Sequence, residues 1–189
     1  MEILPIILAL SSSLTSGFTS ILLKYSTKNA KPLLVNSLKS FSGTLGLTVV
    51  ILFSGKTFTI DFNSLMIILY ISITGPVLGW LLYIMALEKS GVSLIHPIVN
   101  SYPIFAMLAG LLLGYQVSTL DIIGGVIAVL GFKFLFSNGG KVSLKAVLLA
   151  FGTAVFWGIN TTLFKYLLET GDPMAVSYTH LTLPTTERV

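Results

Sequence analysis

The sequence predicts an all-α polytopic membrane protein with six transmembrane helices, and three observations support this fold class. Hydrophobic residues make up 54% of the 189 residues and charged residues only 10%, too few charges to cover a soluble domain of this size. Six segments approach the ~20 apolar residues that a helix needs to cross a bilayer. The first of these segments also recurs later in the chain, which predicts a second copy of one structural unit.

The six predicted spans are separated by short connections. They are Ile3–Leu23, Leu33–Phe53, Leu65–Leu87, Ser93–Leu113, Leu120–Phe136 and Leu144–Leu168. Lipid offers no hydrogen-bond partner to an open backbone, so each span must be helical. The connections are too short to hold a soluble domain, and consecutive helices are therefore expected to lie antiparallel and adjacent. Glu2 replaces the positive start of a signal peptide, so the first segment is interpreted as a span.

Composition also limits the kinds of partner. The chain has no cysteine, which excludes disulfides and thiolate metal sites. Its net charge of +4 comes mainly from lysines near the ends of spans, without any basic run. We interpret these lysines as topology signals and lipid contacts rather than as a nucleic-acid site. The expected partners are the lipid bilayer and a small-molecule solute, with no nucleic acid, no cofactor and no metal, and the oligomeric state stays open.

The repeat relates Pro5–Val35 to Ala146–Val176 without a gap. The most specific matches are a glycine, a Lys-Tyr pair and a proline at one constant offset: Gly17/Gly158, Lys24-Tyr25/Lys165-Tyr166 and Pro32/Pro173. Apolar matches are common in so apolar a sequence, but these matches are not. One unit is therefore expected to end near Ser137, and a second to begin near Leu144.

The first and sixth spans each carry a face of small and polar residues. Spacings of i, i+4, i+7 and i+11 place Ser13, Gly17, Ser20 and Lys24 on one side of a helix. The sixth span repeats this face, with two further candidates beside it, as Ala154, Trp157, Gly158, Asn160, Thr161 and Lys165. Such faces allow close helix packing, with hydroxyls bonded to their own backbone. A stripe that ends in lysine in both copies favours a shared polar cavity.

The second and third spans hold further candidates. Lys39 lies about two turns into its span, where a charge costs roughly 2.5–3.5 kcal/mol unless it snorkels or faces a cavity. Both interpretations remain open. In the third span, the Gly-Pro pair at Pro76 predicts a kink that serves either packing or a hinge. Trp80 and Tyr83 fit an interfacial aromatic belt, or the apolar walls of a site.

The fourth span is the most informative, because two prolines lie inside it. Pro97 and Pro103 each remove a backbone donor, and His96, Asn100 and Ser101 lie within about a turn of them. Secondary transporters place substrate sites at broken helices of this kind. For His96, a satisfied packing role and a role in substrate or proton binding are both open.

This span also carries a family resemblance. The order Val-Ser, Pro-Ile, Tyr-Pro-Ile-Phe, Leu-Gly and then Gly-Gly, from Val92 to Gly125, resembles the EamA unit of the drug/metabolite transporter (DMT) superfamily. The second copy, Ala154–Pro173, resembles the start of another unit through its Trp-Gly and its lysine. Two positions depart from the family pattern: Tyr115 stands where glutamate is usual, and Ser16 replaces the tryptophan of Trp-Gly.

The resemblance implies ten helices in two five-helix units, the second inverted because an odd number of helices reverses its direction. Residues 1–138 would form the first EamA repeat, and residues 139–175 the linker and first helix of the second. The chain would then be an N-terminal fragment of a protein of roughly 280–300 residues. Residues 176–189 leave the pattern and resemble a translated sequencing-library adapter, so we interpret them as a non-native tail.

The implied function is secondary transport of small organic metabolites by alternating access, as an exporter in the plasma membrane. The substrate-binding candidates are Ser13, Ser20, Lys24, Lys39, Trp80, Tyr83, His96, Asn100, Tyr102, Trp157, Asn160, Thr161 and Lys165. Lys24 and Lys165 would flank the site and pair with an anionic group of the solute. No Asp or Glu lies deep in a span, which argues against an antiporter that relies on a buried carboxylate. The fragment alone is expected to be inactive.

Two alternatives come from other classes. The protein could be a non-transporting membrane partner or assembly subunit. An intramembrane enzyme is not favoured, because the sequence lacks G-x-S-x-G, H-E-x-x-H and any acidic cluster. For orientation, Lys28, Lys31, Lys89, Lys141 and Lys145 fall on one side of the membrane and Lys56 on the other. This asymmetry places the N-terminus outside, whereas the resembled family more often has cytoplasmic termini.

Overall fold

The computed structural model describes residues 3–54, 61–137 and 143–170. Within these residues the secondary structure is entirely helical. We label the six helices α1 (Ile3–Ser26), α2 (Pro32–Ser54), α3 (Phe62–Lys89), α4 (Val92–Leu112), α5 (Thr119–Ser137) and α6 (Leu144–Thr170). Each agrees with its predicted span to within three residues at either end, so the predicted all-α polytopic membrane fold is confirmed. The predicted tail at 176–189, and the loop lysines Lys56 and Lys141, lie outside the described residues.

Helix length and composition show which helices can cross a membrane. Within the described residues, three are long and apolar enough: Phe62–Lys89, Val92–Leu112 and Leu144–Glu169. Thr119–Gly131 of α5 is also apolar, over a shorter length. Large apolar side chains remain exposed on the outer helices, such as Leu14 of α1, Phe53 of α2 and Leu120 of α5. In a membrane protein these side chains face lipid, which solvates them as well as a protein core would.

A π-helix interrupts α3 at Ile73–Gly79, around Pro76. Proline has no N–H, and its ring clashes with a carbonyl of the preceding turn, so a regular α-helix cannot continue through it unchanged. The sequence predicted a kink at this place, and the structure forms a widened turn. Neighbouring helices bond its carbonyls: Asn36 Nδ2 donates to the oxygen of Pro76 at 3.0 Å, and Thr153 Oγ1 to that of Gly79 at 3.2 Å.

Helix α4 is broken into Val92–Val99 and Tyr102–Leu112. Pro103 lies in the first turn of the second segment, where its missing N–H leaves no intrahelical bond unmade. Ser101 lies in the break and donates its hydroxyl to the carbonyl oxygen of Ile98 at 2.7 Å. The interruption therefore falls where the prolines predicted it.

Helix α6 packs against both interrupted helices. It presents small residues to them, and Ala146, Ala150 and Ala154 are fully buried. The closest approach is at Gly158, where an added Cβ would lie 2.5 Å from Phe105 Cβ and 2.7 Å from the carbonyl oxygen of Tyr102. Small residues let helix backbones approach closely in a membrane, so this face of α6 is a packing surface.

Candidate functional site

A cavity of about 890 Å³ lies between the second segment of α4, the start of α5 and α6. Its volume falls in the range of roughly 300–1,000 Å³ that is typical of small-molecule sites. Both helix interruptions contribute to its wall, through Gly75 of the π-helix and through Asn100 at the break of α4. Seven predicted site residues line it: Trp80, Asn100, Tyr102, Trp157, Asn160, Thr161 and Lys165.

Aromatic rings gather around Trp157 at what we call the inner end of the cavity, defined by Trp80, Trp157 and Asn160. The ring centroid of Trp157 lies 5.1 Å from that of Trp80, 5.7 Å from Tyr83 and 6.5 Å from Tyr102. Trp80 and Tyr83 are only 5% and 2% exposed. They are therefore not an interfacial belt, because α6 packs over α3 and buries them, and the interpretation as apolar walls fits their position.

Lys39 points toward this inner end from α2. Its Nζ lies 3.9 Å from the ring centroid of Trp80, a cation–π geometry. Lys39 therefore contacts the outer side of a cavity-lining ring, and its predicted role at the cavity stays a prediction. Lys39 does not line the cavity itself, because Trp80 lies against it.

Most hydroxyl groups in the cavity wall already donate to the protein. Thr161 donates to the carbonyl oxygen of Trp157 at 2.8 Å, and Thr162 donates to that of Ala106 at 2.9 Å. Two buried nitrogen atoms of the wall differ from these hydroxyls. Within the described residues, Trp80 Nε1 and Asn160 Nδ2 have no acceptor. Thr74 Oγ1 lies 2.8 Å from Asn160 Oδ1 and also 2.8 Å from the carbonyl oxygen of Tyr70, so these two acceptors share its one proton.

Charged side chains mark the opposite, outer end of the cavity, defined by Tyr115, Asp121, Lys165 and Glu169. Tyr115 Oη donates to Glu169 Oε2 at 2.7 Å, and Lys165 Nζ lies 4.5 Å from the Tyr115 ring centroid. Desolvation, together with the bond and charge of Glu169, raises the pKa of Tyr115 to about 12. Tyr115 thus remains a hydrogen-bond donor at neutral pH.

A second polar cluster joins α1, α3 and α4 outside the cavity wall. Tyr83 Oη donates to Ser20 Oγ at 2.7 Å, and His96 Nδ1 lies 2.9 Å from Tyr83 Oη and 3.1 Å from Ser20 Oγ. Ser20 also donates to the carbonyl oxygen of Ser16 at 2.8 Å. These contacts fit the packing interpretation of His96, whose ring connects three helices.

The remaining predicted residues of α1 lie elsewhere. Lys24 Nζ donates to the carbonyl oxygen of Leu87 and to those of Glu88 and Ser90, at 3.2 and 3.0 Å. It therefore caps the C-terminal end of α3, whose last carbonyls have no helical partner. Ser13 is exposed on α1 and is not part of the cavity wall.

Seven polar residues of the site were not among the candidates predicted from the sequence. Six of them line the cavity, namely Ser101, Tyr115, Gln116, Asp121, Thr162 and Glu169, and Thr74 bonds Asn160 from outside it. A signal existed for Glu169, which follows Lys165 by four residues and so shares its helix face. Thr74 stood next to the Gly-Pro pair, but only the fold brings it to Asn160. Within the described ranges, no group of three His, Cys, Asp or Glu side chains is placed to hold a metal ion.

Comparison with known protein families identifies one match to this chain. The model of the EamA-like transporter family matches residues 3–137, well over half of the chain. This range contains α1 to α5, and with them both helix interruptions. No curated protein and no solved structure matches the chain.

Proposed function

Since this chain belongs to the EamA-like transporter family, we propose that it is a secondary transporter of small organic metabolites. Membership makes it a multi-pass membrane transporter of the DMT superfamily. Our proposal adds that it works as an exporter in the plasma membrane, by alternating access between two units.

One observation carries this proposal: the cavity of about 890 Å³ lies where two helices are interrupted side by side. Interrupted helices are where secondary transporters bind substrates and coupling ions, because unwound backbone and polar side chains are tolerated only around a cavity. The π-helix of α3 and the break at Asn100–Ser101 both reach this wall.

We assign the solute to this cavity. Trp80, Tyr102 and Trp157 would form its apolar walls, and Asn100 and Asn160 would supply hydrogen bonds. Lys165 would act at the outer end, beside Tyr115. Thr161 would contribute through its oxygen, because its proton is donated to Trp157.

The repeat supports a second, inverted unit in the intact protein, with residues 1–138 as the first unit. Gly158 of α6 packs tightly on α4, whereas an added Cβ at its counterpart in α1, Gly17, would have no atom of the described residues within 4 Å. We propose that the part of this face with Ser13 and Gly17 packs on the second unit in the same way, while Ser20 is already buried against α3 and α4. The chain then holds an N-terminal portion of the transporter.

The test is reconstitution in proteoliposomes. The intact product of the same locus, with a complete second unit, is expected to show counterflow of a solute taken from metabolite profiling of cells and medium. An Asn160→Leu variant of that protein should lose counterflow, and the 189-residue chain alone should show none. Inactive intact protein that co-purifies with a fixed partner would instead support the alternative, a non-transporting assembly subunit.

A further inference from the structure

We infer that the solute carries a carboxylate, and that this carboxylate binds at the inner end of the cavity against Trp80 and Asn160, with the charge of Lys39 close by on the Trp80 ring. The inference rests on the proposed function, because it names the chemistry of the solute that the same cavity would hold. The anionic group of the solute would then bind at Trp80 and Asn160, and not at Lys24 and Lys165 as the sequence predicted.

Two buried hydrogen-bond donors at the inner end lack acceptors within the described residues. Trp80 and Asn160 are 5% and 4% exposed, both line the cavity, and their Nε1 and Nδ2 atoms have no acceptor within the described residues. A buried donor without an acceptor costs about 1–3 kcal/mol, which a ligand acceptor would recover. The two donors lie at one end, since Trp157 contacts Trp80 and precedes Asn160 by one helical turn.

The hydroxyl groups around the inner end have no proton left to donate to a ligand. The hydroxyl protons of Ser101, Thr161 and Thr162 are donated to backbone carbonyls, and Thr74 shares its one proton between the carbonyl oxygen of Tyr70 and Asn160 Oδ1. The hydroxyl oxygens of the wall can still accept, whereas the donors left for a ligand are the N–H groups of Trp80 and Asn160. A carbonyl or carboxylate oxygen satisfies these two buried donors, whereas an amine leaves them without an acceptor.

A positive charge near the inner end favours a carboxylate over a neutral carbonyl as the group of the solute that binds there. Lys39 Nζ lies 3.9 Å from the Trp80 ring centroid and brings a positive charge to the inner end. Asp121 and Glu169 line only the outer end. Glu169 follows Asn160 by nine residues on α6, about 13 Å along the helix at 1.5 Å per residue. The aromatic walls then favour a solute with an apolar, planar body.

Intrinsic fluorescence can test this directly, because the chain contains two tryptophans and both lie at the inner end. The purified 189-residue chain in detergent would be titrated with three compounds of equal length: 3-phenylpropionate, 3-phenylpropanamide and 3-phenylpropylamine. We expect the carboxylate to bind most tightly, the neutral amide about tenfold more weakly, and the amine to give no saturable change.

Three variants separate the contributions. Trp80→Phe keeps an aromatic side chain and leaves Trp157 as reporter, and Asn160→Leu keeps a side chain branched at Cγ, so each should weaken 3-phenylpropionate binding about tenfold through loss of the N–H donor. Lys39→Met should remove the preference for the carboxylate over the amide. The matched control is Lys31→Met, which changes an exposed lysine outside the cavity wall in the same way as Lys39→Met, and its Kd should not change.

Several results would overturn the inference. They are an amine that binds as tightly as the carboxylate, unchanged binding in Trp80→Phe and Asn160→Leu, or no saturable response to any of the compounds. Partial unfolding of a variant lowers the amplitude of the fluorescence change but leaves the Kd of the folded protein unchanged. Elution of each variant as a single species in size-exclusion chromatography checks that it is folded. Carboxylate binding without counterflow in the intact protein would refute transport alone, whereas counterflow with amine preference would refute this inference alone.

Discussion

Gly158→Ala is expected to force α4 and α6 apart. The added Cβ would lie 2.5 Å from Phe105 Cβ, which is 0.9 Å (3.4 minus 2.5) short of the 3.4 Å at which ordinary contact begins. Two further atoms at 2.7 Å, the amide nitrogen of Ala106 and the carbonyl oxygen of Tyr102, belong to the backbone. Side-chain rotation cannot relieve those contacts, so the helices themselves must move. Overpacking of this kind costs about 1–3 kcal/mol.

The repeat supplies a matched control in Gly17→Ala. An added Cβ at Gly17 meets no atom of the described residues within 4 Å. Both variants gain the same helix propensity, up to about 1 kcal/mol for alanine over glycine, so the difference between them isolates the contact on α4. Thermal unfolding in detergent should place the melting temperature of Gly158→Ala below that of Gly17→Ala. The gap should be about 2–12 °C, at roughly 2–4 °C per kcal/mol for a chain of this size.

The refuting result is equal stability of the two variants. It would mean that α4 and α6 do not approach at Gly158, and that the cavity wall they form is placed wrongly. If Gly158→Ala is as stable as Gly17→Ala but no longer binds 3-phenylpropionate, the added methyl group distorts the cavity without lowering the stability of the fold.

Three further perturbations test the contacts around the site. Tyr83→Phe removes the hydroxyl that joins Ser20 to His96 and should cost about 1–2 kcal/mol in thermal unfolding. Lys24→Met removes the cap on the last carbonyls of α3 and should lower stability by about 1 kcal/mol, with faster amide exchange at that end. Asp61 caps the start of α3, and hydrogen bonds from Ser64 hold its pKa below the ordinary 3.8. The stability that Asp61 gives to the start of α3 is therefore present above pH 3.8 and lost as the pH falls through the lower pKa of Asp61 in the folded state. The loss should be measured as faster hydrogen exchange of the Ser64 amide.

Each of these perturbations has a control. Tyr25→Phe alters an exposed tyrosine of α1, and Lys31→Met an exposed lysine, so both should match the parent. Asp61→Asn keeps an acceptor oxygen for the cap and should remove the pH dependence while slowing exchange relative to Asp61→Ala. If Tyr83→Phe proved as stable as Tyr25→Phe, the polar cluster would not hold the three helices together. Lys24→Met with unchanged exchange would exclude the cap.

Much of the fold followed from local sequence. Apolar length defined all six helices, because a segment in lipid has to satisfy its own backbone and so must be a helix. Pro76 and Pro97 marked the places where two helices are interrupted, since proline removes a donor wherever it lies. The kind of interruption did not follow, because the π-helix around Pro76 depends on bonds from Asn36 and Thr153 on other helices.

The site was predicted less completely. Trp157 and Asn160 were identified from the polar face of their span, and they line the cavity. Trp80 was identified with an open choice between a membrane interface and a wall, and burial by α6 decided it. Thr74 was missed, because its contact with Asn160 joins positions 86 residues apart.

The two lysines of the repeat show the limit most clearly. The sequence by itself determined that Lys24 and Lys165 occupy the same position on equivalent helices, because the offset between the copies is constant. Only the tertiary structure decided their roles: Lys24 caps the carbonyl end of α3, and Lys165 lies over the Tyr115 ring at the outer end of the cavity. A helix fixes the direction of its own side chains, but the partner of each side chain belongs to a neighbouring helix, and helix packing determines which neighbour that is.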